Sequence, residues 1–200
     1  RFRVDFQRVH SSILRQRQMC VRDRALPEEA LKEIVALTEA KKRLDTREKA
    51  QEYFMPFAHH VYENFIEGRH HRIIAEKLER VARGELKRLI INMPPRHSKS
   101  EFASYLMPAW FLGRNPKLKI IQATHNTELA VRFGRKVRDL IDDPQYKDIF
   151  PDTNLKEDNK GAGKWQTDKG GEYFAAGVGA AVTGRGADLF VIDDPHSEQD

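Results

Sequence analysis

The sequence predicts an α/β domain in which a mainly parallel sheet is flanked by helices, preceded by a helical N-terminal arm. Three observations carry that expectation. From about Tyr53 onward, short apolar runs alternate with stretches of helical period, and strands separated by helices imply parallel strands joined by crossovers. Before that point the texture is different: seven arginines fall between Arg1 and Arg24 against only Asp5 and Asp23. Finally, 200 residues with 40% apolar side chains suffice for one domain with a core and an appendage, and not for two full domains. The expected division is a basic helical arm over 1–50 and the α/β domain over 51–200.

The elements follow in order. Residues 1–24 read as a basic arm or exposed helix. Pro27 followed by Glu28 and Glu29 marks a helix start, and Ala30, Leu31, Ile34 and Leu37 recur at helical spacing to about Leu44, which predicts a solvated helix packed along one stripe. Leu89 to Met93 is a short apolar run expected to be the first strand, followed after a loop by a helix from about Ser100 to Leu112. A second strand is expected over Leu118 to Ala123. The next helix, Thr127 to Ile141, places Leu129, Phe133, Val137, Leu140 and Ile141 on one face. The glycine-rich stretch around Trp165 to Gly179 predicts a hairpin, and Asp188 to Ile192 a last strand that runs into Asp193 and Asp194.

A net charge of +5 fits a protein that approaches a polyanion, although mild basicity is common. A lone cysteine, Cys20, cannot form an internal disulfide. No apolar run approaches the roughly 20 residues of a membrane span, and no leader-like segment opens the sequence. An intracellular, soluble protein without membrane contact is expected. With arginine first and an aspartate a few residues past an apolar strand, the sequence is expected to be cut from a longer polypeptide.

Two segments carry chemistry. Met93-Pro94-Pro95-Arg96-His97-Ser98-Lys99-Ser100 lies between an expected strand and an expected helix, where outward-pointing amides and the positive end of a helix dipole favour phosphate. In a phosphate-binding loop, Lys99 would reach the β- and γ-phosphates of ATP and the Ser100 hydroxyl would ligate Mg²⁺. The usual pattern has glycine where Met93 and Ser98 stand, and Pro94 and Pro95 have no amide hydrogen, so donors would come from Arg96, His97, Ser98, Lys99 and Ser100. An ordinary basic strand–helix turn is the plain alternative. The second segment is Leu189-Phe190-Val191-Ile192 leading into Asp193-Asp194-Pro195: buried strand residues would hold Asp193 beside the Mg²⁺, and Asp194 would orient water. An aspartate cap at a strand end is the plain alternative there. The two segments in this order across an α/β pattern favour a nucleotide site, a P-loop NTPase core.

The chain at this point resembles the large terminase subunits of tailed double-stranded DNA phages and prophages. The residues that carry the likeness are Leu89 to Ser100, Gly177-Val178-Gly179, Thr183-Gly184-Arg185-Gly186-Ala187-Asp188, and Val191 to Pro195. A proline-proline-arginine loop without its usual glycines is typical of that family. The likeness covers roughly Tyr53 to Asp200 and implies an ATPase core with an additional strand, assembled as a ring on the portal protein of a procapsid in the host cell cytoplasm. Partners would be double-stranded DNA and the small terminase subunit, and a metal-dependent nuclease domain would follow outside this sequence. The resemblance assigns Lys99 and Arg96 to phosphate neutralisation, Ser100 and Asp193 to Mg²⁺, and Asp194 to the water-orienting role that the family usually gives to glutamate. Glu198 is a weaker substitute. Arg185 would act on a neighbour's ATP as an arginine finger, with Arg96 as the competing finger in cis.

Other residues hold open readings. Tyr53, Phe54, Pro56 and Phe57, with His70 and His71, would line an adenine pocket or belong to core and surface helix. His59, His60, His70 and His71 lack the cysteine or acidic partners of a metal site. Thr124 reads as a nucleotide sensor or, more simply, as part of a helix N-cap region with Asn126 and Thr127. Rival functions are a superfamily-2-like helicase or DNA-stimulated remodeller, and a nucleotide-free DNA-binding or scaffolding module.

Overall fold

The fold is that of a computed structural model, and it is described for residues 27–62, 64–180 and 182–196. The expected basic arm over 1–24, Cys20 and Glu198 lie outside the described residues. The chain divides into two compact units with the boundary between Leu44 and Asp45. Helix α1, Glu28–Glu52, begins in the first and ends in the second. Pro27 and the two glutamates do open it, as expected, but the apolar stripe is not packed: Leu31, Ile34 and Leu37 are each about half exposed or more.

The second unit contains α2 (Phe54–Val61), α3 (Arg69–Ala82), a π-helical segment (Glu101–Leu106) that continues as α4 (Met107–Arg114), α5 (Thr127–Ile141) and α6 (Pro144–Ile149), with strands β1 (Lys119–Thr124), β2 (Leu155–Lys160), β3 (Lys164–Thr167), β4 (Glu172–Gly177) and β5 (Leu189–Asp193). It is a mixed α/β structure. The five strands form one open sheet in the order β2-β3-β4-β1-β5. β1 pairs in parallel with both β4 and β5, whereas β2–β3 and β3–β4 are antiparallel. The expected mainly parallel sheet is therefore corrected to a mixed one: β4, β1 and β5 are parallel on one side, and β3 and β2 extend it antiparallel on the other. Short connections between β2, β3 and β4 leave no room for the crossovers that parallel pairing requires.

Leu89 to Met93, the expected first strand, is not in the sheet. These residues have no ladder partner among the described residues, and Ile90 is 86% exposed. An apolar run becomes a strand only where a neighbour satisfies its amides and carbonyls. Thr127–Ile141 is helical over the expected span, started by Asn126, whose side-chain oxygen accepts the Leu129 amide at 2.8 Å. Thr124 donates its hydroxyl to the Asn126 carbonyl at 2.6 Å, which ties it to the N-cap region.

Register sorts the sheet into two faces. Ile120, Gln122 and Thr124 share a face with Tyr173, Ala175, Leu189, Val191 and Asp193, and α5 lies on it: a Cβ on Gly134 would meet the Ala162 carbonyl at 2.6 Å and the Tyr173 ring at 3.0 Å. Trp165 stacks on Tyr173 and donates its indole N–H to the Gly134 carbonyl at 3.0 Å. The opposite face carries Ile121, Ala123, Phe174, Phe190 and Ile192, the last two more than half exposed. The core beyond the sheet is aromatic. Phe54 packs edge-on against Phe102 and Trp110, and Phe57 against Tyr146. The polar handles of these rings are satisfied, Trp110 by the Ala50 carbonyl and Tyr146 by the Ala109 carbonyl, each at 2.9 Å.

Candidate functional site

The carboxyl ends of β1 and β5 are adjacent, with Thr124 and Asp193 in register and the His125 amide donating to the Asp194 carbonyl at 3.1 Å. Open α/β sheets bind ligands beyond these ends. The loop before the π-helical segment meets them there: Lys99 Nζ donates to the Asp194 carboxylate and lies 3.5 Å from Asp193. The two segments singled out in the sequence, 95 positions apart, are thus brought together.

The loop backbone explains how it does without glycine. Arg96 and Ser98 both have φ of 62°, the left-handed region that glycine enters without strain and other residues at a cost of roughly 1–2 kcal/mol. Ser98 takes the backbone form at the position where the usual pattern has glycine. Ser100 is right-handed (φ −69°, ψ −33°) and its hydroxyl makes no capping bond. Left-handed residues interspersed with right-handed ones turn successive amides toward one point and make an anion-binding concavity. The Ser98 carbonyl accepts the Phe102 amide at 2.9 Å, joining the loop to the helical segment. Arg96 is exposed and has no ion pair among the described residues.

The charges are arranged unequally. Asp193 is 6% exposed, and the buried Ser104 hydroxyl donates to its Oδ2 at 2.9 Å. Asp194 is largely exposed and left-handed at φ 43°. Burial draws the Lys99 ammonium down, but the hydrogen bond to Asp194 and the charges of Asp193 and Asp194 outweigh it and hold its pKa above the usual lysine value. Ser104 escaped the sequence reading. Its signal was spacing: it follows Ser100 by four residues, about one turn of a helix.

His71 and His97 form the flank of the loop. His71 accepts the Gly68 amide on Nδ1 at 2.9 Å, so its neutral ring carries the proton on Nε2 and donates to His70 Nε2 at 3.0 Å. The His70 ring lies 5.8 Å from that of His97, whose Nδ1–H donates to the Pro95 carbonyl at 2.8 Å. His71 is buried and stacked on Phe102. Burial first, then the nearby charges of His70 and His97, lower its pKa against the opposing pull of Glu67. Of the two readings of Phe57 and His71, adenine pocket or structural residues, their burial favours the second. Phe57 is 0% exposed inside the aromatic core, and a side chain with no surface offers nothing to a base. His71 serves as a structural cap of α3.

Arg185 lies on the other face of the sheet. Its guanidinium is 4.0 Å above the Phe174 ring and 2.7 Å from Glu172. Glu172 opens β4 and Gly177, level with Thr124 and Asp193, ends it, so Arg185, held at Glu172 and Phe174, sits about 10 to 16 Å along the strand from that row. Among the described residues its ion-pair partner is Glu172. No helix of the described residues is long and apolar enough to cross a membrane, and no group of three or more histidine, cysteine or carboxylate side chains among them is arranged to hold a metal ion. The oxygen donors Asp193 and Ser100 nevertheless suit Mg²⁺, which takes one or two protein carboxylates and completes its shell from phosphates and water. Comparison with protein-family models, with curated proteins and with solved structures gave no match.

Proposed function

We propose that this chain hydrolyses ATP with Mg²⁺ and that the hydrolysis drives movement of double-stranded DNA, as in the terminase large subunits that its motifs resemble. The observation that carries the reading is the glycine-less loop in a left-handed nest form at Arg96 and Ser98, with its lysine aimed at two strand-end carboxylates. In this reading the loop amides and Lys99 hold the β- and γ-phosphates, Arg96 adds charge, and Ser100 with the Asp193 carboxylate holds Mg²⁺, which neutralises developing phosphate charge when bound. Lys99 exchanges its bond to Asp194 for one to phosphate, and the freed carboxylate orients the attacking water in line. DNA contacts go to the backbone, because a motor must pass over any sequence. Packaging into a procapsid, the portal and small-subunit partners, ring assembly and the host cell cytoplasm rest on the resemblance alone.

The test is the binding of ATP with Mg²⁺ by the purified protein, followed by its turnover with and without duplex DNA. Saturable binding lost on Lys99→Ala, and DNA-stimulated phosphate release by the full-length protein, are expected. Absence of nucleotide binding sinks the reading in favour of a nucleotide-free module. Strand displacement by the full-length protein favours the helicase instead.

A further inference from the structure

We infer that Ser104 is a positioning residue that fixes the Asp193 carboxylate for metal binding, an inference that rests on the nucleotide reading above. Ser104 is fully buried and Asp193 nearly so. A carboxylate out of water needs a partner for each oxygen. Here Oδ2 receives the Ser104 hydroxyl at 2.9 Å, and Oδ1 faces Lys99 Nζ at 3.5 Å. The torsion that turns a carboxylate plane is broad and roughly two-fold, so a carboxylate anchored at neither oxygen would rock. Anchored at Oδ2, it presents Oδ1 to the loop in one orientation.

Local structure supports a dedicated role. A serine within a helix commonly returns its hydroxyl to the carbonyl four residues back. Ser104 instead spends its only proton across 89 positions on Asp193. It does so from a π-helical segment, Glu101–Leu106, and such wide turns concentrate at functional sites. Ser100 stands at the N-cap position of that segment, four residues before Ser104. The outer hydroxyl is left open, and the inner one holds the carboxylate that would complete the same ion site. Metal ligands oriented by a hydrogen-bonding neighbour typically lose about 10- to 100-fold in metal affinity when that neighbour is removed.

The experiment measures binding of a fluorescent ADP by the intact protein over a Mg²⁺ titration and, separately, in excess EDTA. For Ser104→Ala, the affinity in EDTA should stay within about twofold of the unsubstituted protein, while the Mg²⁺ concentration for half-maximal enhancement rises about 10- to 100-fold. Ser104→Cys, with similar volume and a weaker donor, should fall between them; it also serves if the alanine variant does not fold. An unchanged Mg²⁺ midpoint overturns the inference, and so does an equal loss of affinity in EDTA, which would make Ser104 a tether between helix and sheet. If the unsubstituted protein does not bind ADP, the nucleotide reading itself fails; if it binds ADP with no response to Mg²⁺, the ion site and with it this inference fail.

Discussion

Lys99 donates to Asp194 across the gap between the loop and the end of β5, so the expected phosphate cation is already engaged by the expected water-orienting carboxylate. Binding of a nucleotide is then an exchange of partners. Lys99→Ala should abolish hydrolysis while leaving the circular dichroism spectrum unchanged, because the side chain belongs to a loop and not to the core. Asp194→Asn should spare or tighten ATP binding, having weakened the competing partner, and stop hydrolysis. Weaker ATP binding with normal turnover at saturation would make Asp194 a binding residue instead.

Ser98 holds a left-handed backbone without the glycine that would adopt it freely. Ser98→Gly should stabilise the protein by about 0.5 to 1 kcal/mol, the strain released less the extra freedom of glycine in the unfolded chain. Ser98→Ala should bring no such gain. Urea denaturation of the three proteins reads the difference, and a destabilised glycine variant would show that the serine side chain contributes more than its backbone costs.

His71 predicts a pH dependence of stability. Its folded-state pKa is lowered from the ordinary value of 6.5, so the unfolded chain binds the proton more readily. The stability contributed by the neutral ring is complete above about 6.5 and is lost as pH falls toward the lowered value. Protonation on Nδ1 would also displace the Gly68 amide. Relative to His71→Gln, the advantage of the unsubstituted protein in urea midpoint should shrink between pH 7.5 and pH 5.5. A constant difference would refute the burial argument.

Arg185 is held against Glu172 and Phe174, toward the start of β4 and away from its own chain's loop, the arrangement expected of a finger that acts on a neighbour's ATP. Mixing full-length Lys99→Ala with full-length Arg185→Ala under ring-forming conditions should restore partial turnover, because the first lends its arginine to the intact site of the second. Such a finger is worth roughly 10³ to 10⁵ in rate. Full activity of Arg185→Ala alone, or a dead mixture in which mixed rings form, removes the role.

The sequence revealed those features whose signal is local. Thr127–Ile141 announced itself through one apolar face and the Asn126 cap, and Lys99 and Asp193 through their positions at a helix start and a strand end. Leu89 to Met93 misled because apolarity marks burial tendency, while strand formation depends on a neighbour that local sequence does not display. The antiparallel β2–β3–β4 arrangement was half visible as a glycine-rich hairpin. Ser104 was hidden inside an apolar helix, and the hold of Glu172 and Phe174 on Arg185 was hidden by a contact between distant turns of the chain. Phe57 shows the converse: an aromatic in a suggestive place was simply core.

The terminal strand of the sheet, β5, has one side of its backbone unpaired among the described residues and bears the exposed Phe190 and Ile192. Such an edge is a template for another copy. Yet Asp188 precedes the strand and Asp193, Asp194 and Pro195 end or follow it. Copies joined in parallel would set Asp193 and Asp194 against their like, and antiparallel copies would set them against Asp188. The exposed Asp194 and the Asp188 that precedes the strand would therefore oppose edge-to-edge pairing as charged gatekeepers do, and neutralising Asp194 should cost solubility.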